Sequence, residues 1–282
     1  MDNRLKQARR LGKVLNALSA VSPALAGRTA FRIFCSPRRL PLRDADRKFL
    51  SGAQAFTFRL GKQHMQGYTW AGGTPGAREV LCLHGWESSS ARWKQYVKGM
   101  LEAGFTVHAF DAPASGRSGG NMINVMVYSR AVQQFVALKG APYAIVGHSL
   151  GAAAAVLSAT MLDTPRPARM ALLGAFAEST RVIRDFGAIM GINETVLEGV
   201  FREITRRSGI PVGEYSIAQK AALLTDVRGL VLHDRDDDVA PVAEGRAIAA
   251  AWNVPFFETR GLGHRMQDKT VSAEVIRFLL HT

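Results

Sequence analysis

Cysteine is scarce in this chain of 282 residues, and long apolar runs are missing. Cys35 and Cys82 are the only cysteines, which excludes a disulfide framework and a zinc site built from cysteine pairs. No apolar run approaches the roughly 20 residues that a membrane-spanning helix needs, so no such helix is predicted. With 47% hydrophobic and 21% charged residues, the composition is typical of a globular protein.

Acidic residues are almost missing from the first 40 positions, where Asp2 stands against nine lysines and arginines. This segment therefore carries +8 of the formal net charge of +13. Its apolar residues recur at helical spacing: Leu5, Ala8, Leu11, Leu15 and Leu18. A basic amphipathic helix of this kind either packs on the protein through its apolar stripe or lies on an anionic membrane surface. We favour packing, with a weak membrane-surface contact as the alternative, and expect no nucleic acid partner because no recognised binding motif accompanies the charge.

Residues 14–26 loosely resemble the apolar core of a secretory signal. Polar residues and a proline interrupt that core: Asn16, Ser19, Ser22 and Pro23. We therefore expect an uncleaved N-terminus and a cytoplasmic protein. The sequence leaves the oligomeric state open.

Alternating strand and helix patterns predict an α/β fold. Residues 55–60 and 64–70 flank Gly61-Lys62, a two-residue connection that predicts an antiparallel β-hairpin. Further strands are predicted at 79–84, 106–111, 142–146, 170–175, 229–232 and 255–259. Helical patterns lie between or after them, at 90–103, 125–139, after 149, 242–252 and 270–281. Strands that are nearly continuous apolar runs indicate a mostly parallel central sheet with helices on both faces.

One connection, between the sixth and seventh predicted strands, is unusually long. It exceeds fifty residues, whereas a parallel crossover needs only about a dozen. Residues 176–225 therefore predict a small helical cap inserted after the sixth strand. Because ligands in open α/β folds bind beyond the carboxyl ends of the strands, we expect the cap to cover the ligand pocket. The predicted domains are a basic helical extension over 1–53 and an α/β domain over 54–282 that contains this cap.

The segment Gly147-His148-Ser149-Leu150-Gly151 has the pattern G-x-S-x-G. A predicted strand precedes it and a predicted helix follows it, which is the context of a nucleophile elbow. In such a turn the glycines leave room for a tight backbone and the serine is exposed. We therefore predict that Ser149 is a catalytic nucleophile.

A serine hydroxyl needs a base to take its proton and a carboxylate to orient that base. His264 follows the last predicted strand and is the candidate base. The loop after the preceding strand contains the candidate acids, which spacing alone does not separate: Asp234, Asp236, Asp237 and Asp238. Two backbone N–H groups are expected to form an oxyanion hole, one from Leu150 at the helix N-terminus and one from Trp86 after the third strand.

Taken in order, these segments resemble the α/β-hydrolase superfamily, in particular its small bacterial, cap-bearing serine hydrolases. The motifs that carry the resemblance are His84-Gly85-Trp86, Phe110-Asp111-Ala112-Pro113, Gly116-Arg117-Ser118, Gly147–Gly151, the aspartate-rich loop and Gly263-His264. The resemblance covers about residues 54–282. It implies that Asp237 is the triad acid, because the family pattern H-G-x-x-D-x-x-V-P aligned from His233 meets Asp237, with Asp236 as the second choice.

The resemblance implies hydrolysis of a small-molecule carboxylic ester through an acyl-enzyme, with no metal or organic cofactor. Alternatives with the same triad are an amidase or peptidase, a thioesterase, an acyltransferase and a perhydrolase, and a non-catalytic binding module is a further one. We assign His148 to a variable position of the elbow and His84 to bracing the oxyanion loop. Asp111 is expected to tie loops together.

Overall fold

The structure, a computed structural model, describes residues 3–72 and 76–281. These residues contain a sheet of eight strands. The strands are β1 (Gln54–Leu60), β2 (Gln63–Trp70), β3 (Glu79–Leu83), β4 (Thr106–Phe110), β5 (Ala144–His148), β6 (Arg169–Leu173), β7 (Arg228–Asp234) and β8 (Phe256–Thr259). They lie in the order β1-β2-β4-β3-β5-β6-β7-β8. Strand β2 is antiparallel to β1 and β4, and the other neighbours are parallel. The predicted mostly parallel sheet with an antiparallel hairpin is confirmed.

The hairpin of β1 and β2 turns through Gly61 and Lys62, as its two-residue connection predicts. Gly61 has φ of 57°, and glycine adopts this left-handed conformation without the steric cost that a side chain brings. Across the hairpin, Phe58 pairs with Met65, and both side chains are buried. The turn therefore sets a register that places apolar side chains of both strands inside the protein.

Helices cover the sheet. In chain order they are α1 (Asn3–Val21), α2 (Pro23–Phe34), α3 (Asp44–Ser51), α4 (Lys94–Glu102), α5 (Val125–Lys139), α6 (Leu150–Met161), α7 (Ser179–Met190), α8 (Glu194–Ser208), α9 (Ile217–Ala221), α10 (Val242–Trp252) and α11 (Lys269–Leu280). Apolar residues of α4 and α11, such as Met100 and Val275, cluster with Val80 of β3. Helix α6 packs on β5, and α10 packs on β7. This burial explains why the central strands are nearly continuous apolar runs.

The described residues divide into two compact units. An α/β unit contains the sheet and comprises Pro37–Ala177 together with the described residues from Ile217 onward. A helical unit comprises the described residues up to Ser36 together with Glu178–Ser216. The sequence predicts other boundaries, at residue 53 and around a cap at 176–225. In the structure, residues 37–53 belong with the sheet, and residues 3–36 share a unit with the inserted helices.

Glycines allow the helices of the helical unit to approach closely. A Cβ on Gly27 of α2 would lie 2.5 Å from the Cα of Gly199 in α8. Similarly, Gly12 of α1 lies against the carbonyl group of Met190 in α7, where no Cβ would fit. Small residues at such crossings bring helix backbones into direct contact. This contact joins the N-terminal helices to segments more than 150 positions away in the sequence.

Helix α1 is amphipathic, as its sequence predicts. Leu15 is buried, together with Gly12 and Ser19 on the same side, whereas Leu11 of the predicted stripe is 39% exposed. The helix therefore packs through part of the stripe and leaves an outer face in solvent. None of the described helices is long and apolar enough to cross a membrane.

Candidate active site

Ser149 stands at the sharp turn between β5 and α6. Its backbone has φ of 52° and ψ of −118°, and a positive φ is uncommon for residues other than glycine. A Cβ on Gly147 would lie 2.6 Å from the Cα of Ala152. A Cβ on Gly151 would lie 2.6 Å from the carbonyl oxygen of His84. Close backbone approach therefore requires both glycines of the G-x-S-x-G pattern.

Three side chains that are far apart in the sequence form a continuous chain of hydrogen bonds. Nε2 of His264 lies 3.0 Å from Oγ of Ser149, and Nδ1 of His264 lies 2.8 Å from Oδ2 of Asp237. A carboxylate only accepts hydrogen bonds, so in the neutral imidazole Nδ1 carries the hydrogen and Nε2 accepts from the serine hydroxyl. The structure thus brings together Ser149, His264 and Asp237, the three residues predicted from the sequence motifs.

The topology of the sheet explains this meeting. Ser149 follows β5, Asp237 follows β7, and His264 lies in the short 3-10 helix Gly263–Arg265 after β8. These strands are parallel, so their carboxyl ends share one edge of the sheet, where ligands of open α/β folds bind.

Asp237 is held as a buried carboxylate. Its side chain is inaccessible to solvent, and Oδ1 accepts hydrogen bonds from the N–H groups of Val239 and Ala240 at 2.9 and 2.8 Å. Nε2 of His233 lies 3.2 Å from Oδ2. Burial alone would raise the pKa of Asp237, but the hydrogen bonds from His233, His264 and the backbone outweigh it and leave the pKa well below its usual value.

The neighbouring aspartates have other contacts. Asp236, the second choice for the triad acid, has a side chain that is 53% exposed and accepts from the N–H of Gly261 at 3.0 Å. Asp234 is buried, and its carboxylate accepts from the N–H groups of Leu262 and Gly263 at 3.1 and 3.0 Å. Asp234 therefore fixes the loop that precedes His264, a role that the sequence did not assign to it.

His148 contacts the loop that carries His264. Its Nε2 lies 2.7 Å from the carbonyl oxygen of His264, so Nε2 must carry the hydrogen and donate it. Burial lowers the pKa of His148 well below its usual value, which keeps the ring neutral. The sequence pattern places His148 only at a variable position of the elbow. Its partner is a main-chain carbonyl, which leaves no signature in a side-chain pattern.

Gly174 follows β6 and faces the same three side chains. Its φ is 53°, and a Cβ there would lie 3.5–3.6 Å from Nδ1 of His264, Oδ2 of Asp237 and Nε2 of His148. The positive φ would strain a side chain at this position, whereas its Cβ would be in ordinary van der Waals contact with the three groups. No motif in the sequence points to Gly174.

The predicted oxyanion loop, His84-Gly85-Trp86, follows β3 and lies beside Ser149. A Cβ on Gly85 would lie 3.1 Å from Cβ of Ser149. Nδ1 of His84 donates to the carbonyl oxygen of Gly85 at 2.8 Å, while its Nε2 accepts from the N–H of Ala112 at 2.9 Å. In a planar trans peptide the C=O and N–H groups point in opposite directions. The bond from His84 therefore fixes the direction of the Trp86 N–H.

The other predicted oxyanion donor is Leu150, the first residue of α6. The first N–H groups of a helix have no acceptor within the helix, and the helix dipole favours an anion there. The indole of Trp86 is 40% exposed. After it, Glu87 has φ of 47° and accepts from the main-chain N–H and the Nε of Arg38 at 3.0 and 2.9 Å. This pair attaches the oxyanion loop to the segment before α3.

Asp111 ties loops together, as its position after β4 suggests. Its Oδ1 accepts from the N–H and hydroxyl groups of Ser90, both at 2.8 Å, and its Oδ2 accepts from the N–H of Arg117 at 2.8 Å. Among the described residues, no group of three or more histidine, cysteine, aspartate or glutamate side chains is arranged to hold a metal ion.

Comparison with known proteins identifies the family. Residues 80–277 match the alpha/beta hydrolase family. The chain belongs to this family. The resemblance stated from the motifs is thereby confirmed, as is the expectation that the chain is a hydrolase enzyme. A search of curated proteins finds no significant match.

Several solved structures share the fold of this chain at low sequence identity. An esterase of Pyrococcus furiosus has 16% identity and a TM-score of 0.64, over 87% of this chain and 97% of its own. A bromoperoxidase of Bacillus anthracis has 15% identity and a TM-score of 0.60, over 80% and 99%. A thioesterase domain from the curacin biosynthetic pathway has 13% identity and a TM-score of 0.58, over 81% and 99%. At these identities the likeness establishes the fold alone.

Proposed function

We propose that the chain is a serine hydrolase that cleaves small-molecule carboxylic esters through an acyl-enzyme. The observation that carries the proposal is the hydrogen-bonded chain from Ser149 through His264 to Asp237. A nucleophile within hydrogen-bond reach of a base, with a carboxylate orienting that base, is the arrangement that activates a serine hydroxyl. The similarity to the esterase of Pyrococcus furiosus is consistent with this reaction, and it supports the proposal only through the shared fold.

In the first half of the reaction, Oγ of Ser149 attacks the ester carbonyl carbon while Nε2 of His264 takes the hydroxyl proton. The carbonyl π electrons move to oxygen and give a tetrahedral oxyanion. When this intermediate collapses, the bond to the alkoxy group breaks. His264 returns its proton to the leaving alcohol, and the acyl group stays on Ser149.

In the second half, a water molecule replaces the alcohol. Nε2 of His264 takes a proton from the water as its oxygen attacks the acyl carbon, and a second tetrahedral oxyanion forms. Its collapse breaks the bond to Oγ, releases the carboxylic acid and returns the proton to Ser149. No electrons are gained or lost, and atoms balance to ester plus water giving acid plus alcohol.

Asp237 supports the charged form of the base. Because its pKa lies well below the usual value, it stays ionised and faces the imidazolium that forms at His264. His148, kept neutral by burial, adds no second positive charge beside that imidazolium. The buried site therefore stabilises one positive charge and one negative charge at contact distance.

The oxyanion is assigned to the N–H groups of Trp86 and Leu150. Support comes from the bond of His84 to the Gly85 carbonyl, which orients the first, and from the helix N-terminus, which supplies the second. Removing one donor of this kind typically costs about 3 kcal/mol of transition-state stabilisation.

The direct test is turnover of p-nitrophenyl acetate and p-nitrophenyl butyrate by the full chain and by Ser149→Ala. We expect the variant to lose activity, whereas Ser51→Ala, an exposed serine, keeps it. A fluorophosphonate probe should label Ser149, as located by mass spectrometry. Equal turnover by Ser149→Ala would exclude the mechanism, and absence of both turnover and labelling would favour a binding module. Assays with amide and thioester substrates, and with hydrogen peroxide as the acyl acceptor, then distinguish an esterase from the alternative acyl-transfer enzymes.

A further inference from the structure

The positive charge of the helical unit lies in its N-terminal helices. Residues 3–36 contain five arginines and two lysines, and they contain no acidic residue. The inserted segment 178–216 contributes five basic and six acidic residues. Helices α1 and α2 therefore form one segment of a single charge sign within a unit that is otherwise nearly balanced.

Much of this charge is unpaired. The long basic side chains of Lys6, Arg10, Lys13 and Arg28 are exposed. No carboxylate of the described residues lies within 4.0 Å of any of them. Other surface arginines of the chain, such as Arg181, are paired with a carboxylate. The segment thus keeps its positive potential toward solvent.

Apolar side chains share the exposed face with these charges. Val14 and Val21 are seven positions apart, which places them on one side of α1, and they are 62% and 86% exposed. The buried residues Gly12 and Leu15 lie on the other side. Leu25, in the first turn of α2, is 51% exposed. We call the side chains of Lys6, Arg10, Lys13, Val14, Val21 and Leu25 the outer face of α1–α2.

We propose that the outer face of α1–α2 docks on an anionic lipid bilayer. Interfacial helices combine an apolar strip that enters the headgroup region with lysines and arginines that contact anionic headgroups. Helix α1 does not have the length and apolarity of a membrane span, so it lies on the surface.

Two other occupants fit the outer face less well. A nucleic acid would use the positive charge but would leave Val14, Val21 and Leu25 without an apolar partner. A second copy of this chain would cover the valines but would bring two acid-free basic segments together, and like charges repel. An anionic bilayer satisfies the charge and the apolar residues together.

The test is co-sedimentation of the full chain with vesicles of phosphatidylcholine alone or of phosphatidylcholine with phosphatidylglycerol. We expect binding to the anionic vesicles only, weakening as salt is raised because salt screens the charges. Lys6→Glu/Arg10→Glu/Lys13→Glu should weaken binding by about tenfold or more. The matched control, Lys62→Glu/Lys98→Glu/Arg130→Glu, reverses three exposed charges of the α/β unit and should weaken binding much less.

Val14→Asp/Val21→Asp tests the apolar part, with Leu138→Asp, at a 54% exposed leucine of α5, as its control. We expect the first to release the chain from anionic vesicles and the second to leave binding intact. Equal binding to both vesicle types, or unchanged binding by Val14→Asp/Val21→Asp, overturns the proposal. So does duplex DNA binding tighter than vesicle binding, or a dimer that these substitutions dissociate. The inference does not depend on catalysis, because Ser149→Ala should bind vesicles like the unaltered chain.

Discussion

The buried imidazole of His148 donates a 2.7 Å hydrogen bond to the main-chain carbonyl of His264. The two rings lie 4.9 Å apart. His148, the residue before Ser149, therefore holds the loop that carries His264. In the proposed mechanism, this bond sets the position of Nε2 of His264 relative to Oγ of Ser149.

Replacing His148 should therefore impair the chemical step. We expect His148→Ala to lower kcat by about tenfold to a hundredfold, since small displacements of a catalytic group have effects of this size. His148→Gln keeps an N–H donor near the position of Nε2 and should recover part of the loss. The measurement is kcat and KM for p-nitrophenyl butyrate. A purely structural role would give equal thermal destabilisation in both variants with no difference in kcat.

The choice between Asp237 and Asp236 has its own test. Asp237 contacts His264 at 2.8 Å, while Asp236 contacts Gly261 in an exposed position. We expect Asp237→Asn to lower kcat by about 10³- to 10⁴-fold, the effect of the equivalent change in the serine protease triad. Asp236→Asn is the matched control and should stay within about threefold of the unaltered chain. The reverse order of effects in steady-state assays would transfer the role to Asp236.

Gly85 tests the oxyanion loop. A Cβ there would lie 2.7 Å from Nδ1 of His148 and 3.1 Å from Cβ of Ser149, so Gly85→Ala must shift the loop that carries the Trp86 N–H or the ring of His148. We expect kcat to fall by about a hundredfold, the effect of losing one oxyanion donor. Gly213→Ala places the same methyl group in open space and should leave kcat unchanged. Parallel loss in both variants would show that the effect is not local to the oxyanion loop.

Much of this arrangement could be predicted from local sequence patterns. The Gly61-Lys62 turn and the apolar runs predict the strands, and the G-x-S-x-G pattern places Ser149 between a strand and a helix. The order of catalytic residues along the chain then indicates that the acid follows Ser149 and that the histidine follows the acid. These signals are local because each depends on the conformation of a few consecutive residues.

What the sequence did not indicate depends on contacts between distant segments. Gly27 meets Gly199 across a helix crossing, and neither glycine differs in local context from a helix interior residue. Asp234 binds main-chain N–H groups of the loop before His264, and such acceptor contacts leave no side-chain pattern. The expectation that the inserted helices cover the ligand pocket stays a prediction.

The carboxylate of Glu203, in the helical unit, makes the stability of the folded chain depend on pH in the acidic range. It is 3% exposed, and its carboxylate accepts from Nε of Arg206 at 2.8 Å and from Nε of Arg207 at 2.6 Å. The hydrogen bond from Arg206, together with that from Arg207, outweighs burial and lowers the pKa of Glu203 to about 2. In the unfolded chain a glutamate has a pKa of about 4.3. Between these values the unfolded state binds the proton and the folded state does not.

Stability from Glu203 is therefore fully present above about pH 4.3 and is lost as the pH falls toward about 2. Because both arginines are about half exposed, we expect Glu203→Gln to lower the free energy of unfolding at pH 7 by only about 1–2 kcal/mol. The variant should also lose less stability than the unaltered chain between pH 4.5 and 2.5, as measured by urea unfolding followed by circular dichroism. Glu198→Gln removes an exposed glutamate paired with Arg202 on the same helix and is the control, with an expected change below about 0.5 kcal/mol. An acid dependence of Glu203→Gln as steep as that of the control would mean that Glu203 is not the group that titrates.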